Sequence, residues 1–208
     1  MVLFQKQTTR VKGKYSKKQS NYKVLGLLFF IILFSNSVVA TELNSDIIKY
    51  LQGLSSFSSN FIQSDGTHLE QGYIYIKDDK IRLDYTNPDR TLKVSKEKGV
   101  YINHELKEEE FFSTKKNITK VFYDIFFKNN FLSSLTPKES SNEIVFEKTI
   151  QLESTNVNLK IFFESKPILL RKIISKTEND LISISFYDHD YNKVFEENFF
   201  SFVPIYLD

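Results

Sequence analysis

The chain contains no cysteine and no tryptophan, its only methionine is the first residue, and it has just three histidines and six glycines in 208 residues. Without cysteine there is no disulfide, no thiolate nucleophile and no cysteine-based zinc site, so the fold must rest on its core. Thr41 stands where a lipid-modified cysteine would follow the segment boundary described below, which leaves no residue for a lipid anchor there. His68, His104 and His189 fall in no metal-binding spacing such as H-E-x-x-H, and Asp188-His189-Asp190 reads as a solvated turn rather than a ligand cluster. The glycines form neither a phosphate-cradling loop nor a G-x-S-x-G elbow. Glu108, Glu109 and Glu110 are adjacent carboxylates, but at strand spacing they point alternately to opposite faces and read as a solubilising run. The expectation is a chain that is not an enzyme and uses no metal or cofactor.

What is present begins with an asymmetric N-terminus. Lys6, Arg10, Lys12, Lys14, Lys17, Lys18 and Lys23 precede an apolar run from Val24 to Phe34, and Val38-Val39-Ala40 closes the segment with no acid before it. A basic region, a short apolar region and a small-residue end are the parts of a secretory signal peptide, expected over residues 1–40 with cleavage after Ala40. The apolar run has about eleven residues, short of the roughly twenty that span a bilayer. Removing these seven basic residues from 28 leaves 21 against 26 acids, so residues 41–208 carry about −5 rather than the formal +2. A nucleic-acid partner, which needs a basic face, is not expected.

Residues 41–208 suit one domain with a sizeable core, and no Pro/Gly/Ser linker, low-complexity tract or repeat divides them. Leu43, Ile47, Leu51 and Leu54 share one face of a short helix that starts near Glu42 and stops at Gly53. Period-two alternation then marks strands through Phe57-x-x-x-Phe61-x-Gln63, residues 72–77 and residues 80–85, with Asp78-Asp79 and Asn87-Pro88 at turns. Further strands are predicted over 91–95, 100–103 and 106–113, with a turn at Asn103-His104-Glu105. Ile118, Val121, Phe122, Ile125 and Phe126 recur at helical spacing behind a possible cap at Asn117, with Phe127 and Phe131 widening the apolar face. Strands return over 143–148, 158–164, 168–176, 181–187 and 198–203. Ten or eleven strands with two or more helices make a mainly β fold, and 20 Phe and 11 Tyr supply its apolar face. Composition alone fits either a packed core or a ligand cavity.

The motif Phe57-x-x-x-Phe61-x-Gln63, then Gly72-Tyr-Ile-Tyr-Ile-Lys77, then Lys80-Ile-Arg-Leu-Asp-Tyr85-x-x-Pro88 resembles the opening of the LolA family of periplasmic outer-membrane lipoprotein carriers. Phe200-x-Phe202-x-Pro204 is similar to the family's closing motif, without its second proline and its glycine. The resemblance covers nearly all of residues 41–208. It implies an incomplete antiparallel barrel of about 11 strands with a helical lid over an apolar concave face, a periplasmic location, and a monomer that shields lipid chains. The implied cavity residues are Phe57, Phe61, Ile81, Leu83 and Tyr85; the lid helix would present Val121, Phe122, Ile125 and Phe126. Its implied partners are acylated lipoproteins, an inner-membrane ATP-driven release complex and an outer-membrane acceptor; a glycolipid or another lipid on the same scaffold, carried or sensed, is the alternative. Where the family has R-P-G-K, with the Arg latching the lid, this chain has Lys77-Asp78-Asp79-Lys80, so Lys77 is the latch candidate without the planar fork of a guanidinium.

Overall fold

A computed structural model describes residues 42–206, so the expected signal segment lies outside the described residues. Its elements are α1 (42–52), β1 (Ser56–Ser64), β2 (Leu69–Lys77), β3 (Lys80–Tyr85), β4 (Arg90–Val94), β5 (Lys98–Asn103), β6 (Glu108–Ser113), a 3₁₀ turn (Thr114–Lys116), α2 (Ile118–Phe127), α3 (Asn130–Ser133), β7 (Lys138–Glu139), β8 (Glu143–Leu152), β9 (Thr155–Ser165), β10 (Ile168–Lys176) and β11 (Leu181–Asp190). All eleven strands belong to one antiparallel sheet in the order β6-β5-β4-β3-β2-β1-β11-β10-β9-β8-β7. Two meanders therefore meet at β1 and β11, and the sheet ends at β6 and β7 without closing. This is an incomplete barrel.

That order dictates where the helices go. β6 and β7 are the two free edges, yet they are consecutive strands in the chain, so the segment between them must cross the apolar face. Residues 114–133 make this crossing and carry α2 and α3. α2 is amphipathic, with Val121, Tyr123, Ile125 and Phe126 buried, and Asn117 caps it by accepting a hydrogen bond from the Thr119 N–H at 3.0 Å. The helix ends at Phe127, one turn earlier than the apolar spacing suggested, so Phe131 stands on α3; it is still buried. α1 lies beside α2 and α3, with Ile48 and Leu51 next to Ile125, Phe126 and Leu132, and its Asn44 amide donates to the Leu135 carbonyl at 2.8 Å. No helix among the described residues is long and apolar enough to cross a membrane.

The β2–β3 connection is a two-residue turn in which Asp78 (φ 48°) and Asp79 (φ 57°) are both left-handed. Proline cannot adopt that geometry, so Lys77-Asp78-Asp79-Lys80 builds a different turn from the Arg-Pro-Gly-Lys it replaces. A non-glycine residue in this region costs roughly 1 kcal/mol. Asp79→Gly is accordingly expected to stabilise the protein by about 0.5–1 kcal/mol, read from the urea midpoint at unchanged slope; an unchanged or lower midpoint would mean that Asp79 has a compensating contact.

Two assignments differ from the sequence reading. Residues 198–203 form turns and irregular chain rather than a strand. β11 is flanked by β10 and β1, and β1 by β11 and β2, so the chain leaving β11 cannot add a strand beside either of them. The tail instead lies over the outer face, where Arg82 Nη1 donates to the Phe199 carbonyl and Lys93 Nζ to the Ser201 carbonyl, both at 2.8 Å. The second difference concerns Asp188-His189-Asp190, which is not a turn but the end of β11. A bulge there, with Asp188 at φ 53°, inserts one extra residue opposite β1 and inverts the side-chain phase. His189 therefore points inward, between the Ser59 hydroxyl (2.9 Å) and the Leu170 carbonyl (3.0 Å).

Candidate functional site

Register places the inner face without ambiguity. Ile81, Leu83 and Tyr85 alternate inward on β3; Leu83 pairs with Ile74 on β2 and with Leu92 on β4, and Ile81 with Ile76 and Val94. Across the sheet centre Phe61 pairs with Phe186, and Ile173 of β10 lies between Ile161 of β9 and Ile184 of β11. Along β1 to β3, Gly72 separates Phe61 from Tyr85, and the missing side chain lets their rings meet edge to face at 5.1 Å.

Between this face and α2 lies an apolar cavity of about 120 Å³. Of the residues expected to line it, Leu83, Tyr85, Val121, Phe122 and Ile125 do so. Phe57, Phe61 and Ile81 share the inner face but are packed solid within the core, each at most 1 % exposed. Phe126 turns toward α1, beside Ile48 and Leu51. Lys77 ends β2 opposite Lys80, and its side chain makes no hydrogen bond or ion pair with another described residue. What the sequence reading missed is the other wall: Leu92, Val94, Leu159, Ile173, Ile182 and Ile184. Their alternation was visible, but nothing local reveals that β11 lies beside β1, with β10 and β9 beyond it. The cavity shares Ile118, Ser175 and Ile182 with a second hollow of about 270 Å³ that reaches Leu152, Thr155, Thr177 and Asp180 at the ends of two hairpins.

Where β1 and β3 end and β2 and β4 begin, the apolar wall gives way to a polar network. The Tyr85 hydroxyl donates to Gln63 Oε1 (3.1 Å), Gln63 Nε2 donates to Glu70 (3.4 Å), and Glu70 accepts from Arg90, which also donates to the Tyr101 hydroxyl (3.2 Å). The Arg90 guanidinium lies 5.0 Å from the centre of the Tyr85 ring. Gln63 and Tyr85 belong to the network and to the cavity wall at once. Burial, followed by the Glu70 charge, pushes the Tyr85 hydroxyl up to about 12, so it stays protonated at physiological pH. Arg90 Nε is buried with no hydrogen-bond partner among the described residues.

At the far side of the sheet, the Tyr50 hydroxyl of α1 accepts from the Leu170 N–H at 3.0 Å while His189 donates to the Leu170 carbonyl. One backbone unit of a buried residue, beside a register shift between β9 and β10, is thus held by a helix and a strand together. Desolvation lowers the His189 pKa; the hydrogen bond to Leu170 raises it, Arg171 lowers it, and Asp188 and Glu164 raise it. A depressed folded-state value means that the unfolded chain binds the proton more readily. Stability from this residue is then complete above the unfolded value near 6.5 and is lost as pH falls through the lower folded value. The melting temperature should drop below about pH 6.5, before the carboxylates titrate, and His189→Asn should remove that limb of the profile; a wild-type melting temperature flat from pH 7 to 5 would contradict it.

No protein-family model and no curated protein matches the sequence. Among solved structures the chain is similar to an uncharacterized conserved protein from Thermus thermophilus, with a TM-score of 0.50 at 6% identity over 81% of this chain and 96% of that one. It is also similar to a DUF1329 family protein from Desulfovibrio piger, with a TM-score of 0.44 at 6% identity over 78% and 98% of the two chains. A structure of the Pseudomonas aeruginosa MucA/MucB complex gives a TM-score of 0.43 at 9% identity over 72% of this chain, which spans 56% of that one. At such identities the first of these likenesses shows the fold alone.

Proposed function

We propose that this protein is a periplasmic, non-enzymatic carrier that shields the acyl chains of lipoproteins and moves them from an inner-membrane release transporter to the outer membrane. The observation that carries the reading is a helix laid across the open face of an unclosed sheet, with an apolar cavity left between them. The basic and apolar N-terminal pattern supports export, and the motif resemblance to LolA carriers supports the cargo and both partners. The driving force is sufficient, because each methylene removed from water contributes about 0.8 kcal/mol.

The cavity volume sets the mechanism. About 120 Å³ is well below the roughly 300–1,000 Å³ of pockets that enclose a small ligand, so acyl chains enter only if α2 moves away from the sheet. The helix is held mainly by apolar side chains that a lipid can replace, which allows cargo to take over the contacts of Val121, Phe122 and Ile125. The adjoining hollow along Ile118 and Ile182 offers the direction in which the space extends.

A photo-crosslinking residue at Leu83, inside, should trap lipoprotein in periplasm, whereas one at Tyr73, outward and about half exposed, should not. Mass spectrometry identifies the adduct. Equal labelling at both positions would rule out the cavity, and a glycolipid adduct at Leu83 would overturn the lipoprotein in favour of another lipid.

A further inference from the structure

We infer that Gln63 and Tyr85, backed by the Glu70–Arg90 pair, form a subsite that accepts the neutral ester or amide carbonyl at the head of an acyl chain and disfavours a free carboxylate. The inference rests on the carrier reading and adds a chemical class of ligand to it. Gln63 and Tyr85 are among the few polar groups in the cavity wall, and they stand at one end of it. A chain lying along the apolar wall would therefore bring its polar end to these two side chains.

Hydrogen-bond capacity decides which polar end fits. Glu70 as a carboxylate can only accept, so the Gln63 nitrogen must face it, and the Tyr85 hydroxyl must donate to the Gln63 oxygen. One Gln63 N–H then remains for a ligand carbonyl, and the Tyr85 oxygen keeps a lone pair for a neighbouring hydroxyl or amide N–H. Charge decides against a carboxylate. The positive charge of Arg90 is already engaged by Glu70, and Glu70 is the charge nearest to Gln63. An anion placed against Gln63 would meet that carboxylate before it met the guanidinium. An ester or amide bears no charge and meets no such opposition. Acyl groups in lipoproteins and glycerolipids are joined by these linkages, whereas a free fatty acid is not.

The test uses cis-parinaric acid and its methyl ester as fluorescent ligands, titrated at pH 8 into the wild-type protein and two variants. The ester partitions better than the acid for reasons unrelated to the protein, so the quantity read is the change in the ester-to-acid affinity ratio. Glu70→Gln removes the opposing charge and unmasks Arg90, and should lower that ratio about tenfold. Gln63→Met keeps the bulk of the wall but loses the donor, and should weaken ester binding about fivefold with a smaller effect on the acid. Should Glu70→Gln fail to fold, the Gln63→Met result decides. Ratios unchanged in a folded Glu70→Gln, or ester binding unchanged in Gln63→Met, would overturn the subsite while leaving the carrier reading intact. Failure of both ligands to bind the wild-type protein would overturn the two together.

Discussion

Gly72→Ala is expected to destabilise this protein by about 3 kcal/mol, the upper end of what an overpacked site usually costs. A Cβ at this position would lie 1.9 Å from the Asp84 carbonyl oxygen, 2.9 Å from its carbon and 3.0 Å from Tyr85 Cα. All three are backbone atoms of the adjacent strand β3, so relief requires β2 and β3 to separate, with loss of ladder hydrogen bonds where β3 ends. The same methyl group would enter the gap across which Phe61 and Tyr85 make their edge-to-face contact. Gly99 provides the comparison. Its added Cβ would come within 2.2 Å of Phe112, but the clash is with the far end of a side chain on the edge strand β6, which can rotate away. Gly99→Ala should therefore cost about 1 kcal/mol or less. Urea unfolding of the two variants checks both, and a loss at Gly72 no larger than at Gly99 would show that β3 yields more easily than its pairing implies.

The contrast between these glycines also shows how far the sequence could be read. Gly72 was recognisable as the start of an alternating segment, because Ile74 and Ile76 follow it at period two, and local periodicity of this kind located β2, β3 and most of the later strands. α2 was legible for the same reason, with five apolar residues at helical spacing and Asn117 before them. Long-range pairing was not. That β1 lies beside β11, and that β6 and β7 are free edges to be bridged, depends on contacts across more than a hundred residues, and no short-range pattern encodes it. The half of the cavity formed by Leu83, Tyr85 and α2 was therefore anticipated, while the half formed by β10 and β11 was not. His189 was read as part of a solvated turn because three polar residues follow the alternating segment; the strand in fact continues through a bulge at Asp188, which turns His189 inward. The polar network escaped notice because its members come from five strands: Tyr85 was expected in the cavity wall, but nothing local joins it through Gln63 to Glu70, Arg90 and Tyr101. Lys77 had been singled out by analogy with an arginine, but the two left-handed aspartates beside it make a turn of different geometry.

The largest functional effect is expected from filling the cavity. Leu92 lines it from β4, opposite α2, and is only partly buried, so a Trp there can grow into the existing space. Unfilled volume of about 120 Å³ costs a folded protein on the order of 3 kcal/mol when it is dry and apolar. The strain of inserting a larger ring is roughly 1–3 kcal/mol, so the two effects nearly cancel and Leu92→Trp should unfold within about 1 kcal/mol of the wild type. Lipid binding has no such compensation. Denying space to about four methylenes forfeits roughly 3 kcal/mol, which corresponds to more than a hundredfold in affinity. An unaltered denaturation midpoint together with a hundredfold weaker uptake of cis-parinaric acid methyl ester would separate the cavity's role in binding from any role in holding the fold. Wild-type affinity in a stably folded Leu92→Trp would place the ligand somewhere other than beneath α2. The direction of the stability change carries information as well: if filling the space stabilises the protein while abolishing uptake, the cavity is a feature retained at a cost in stability, as expected of a hollow whose purpose is to be occupied.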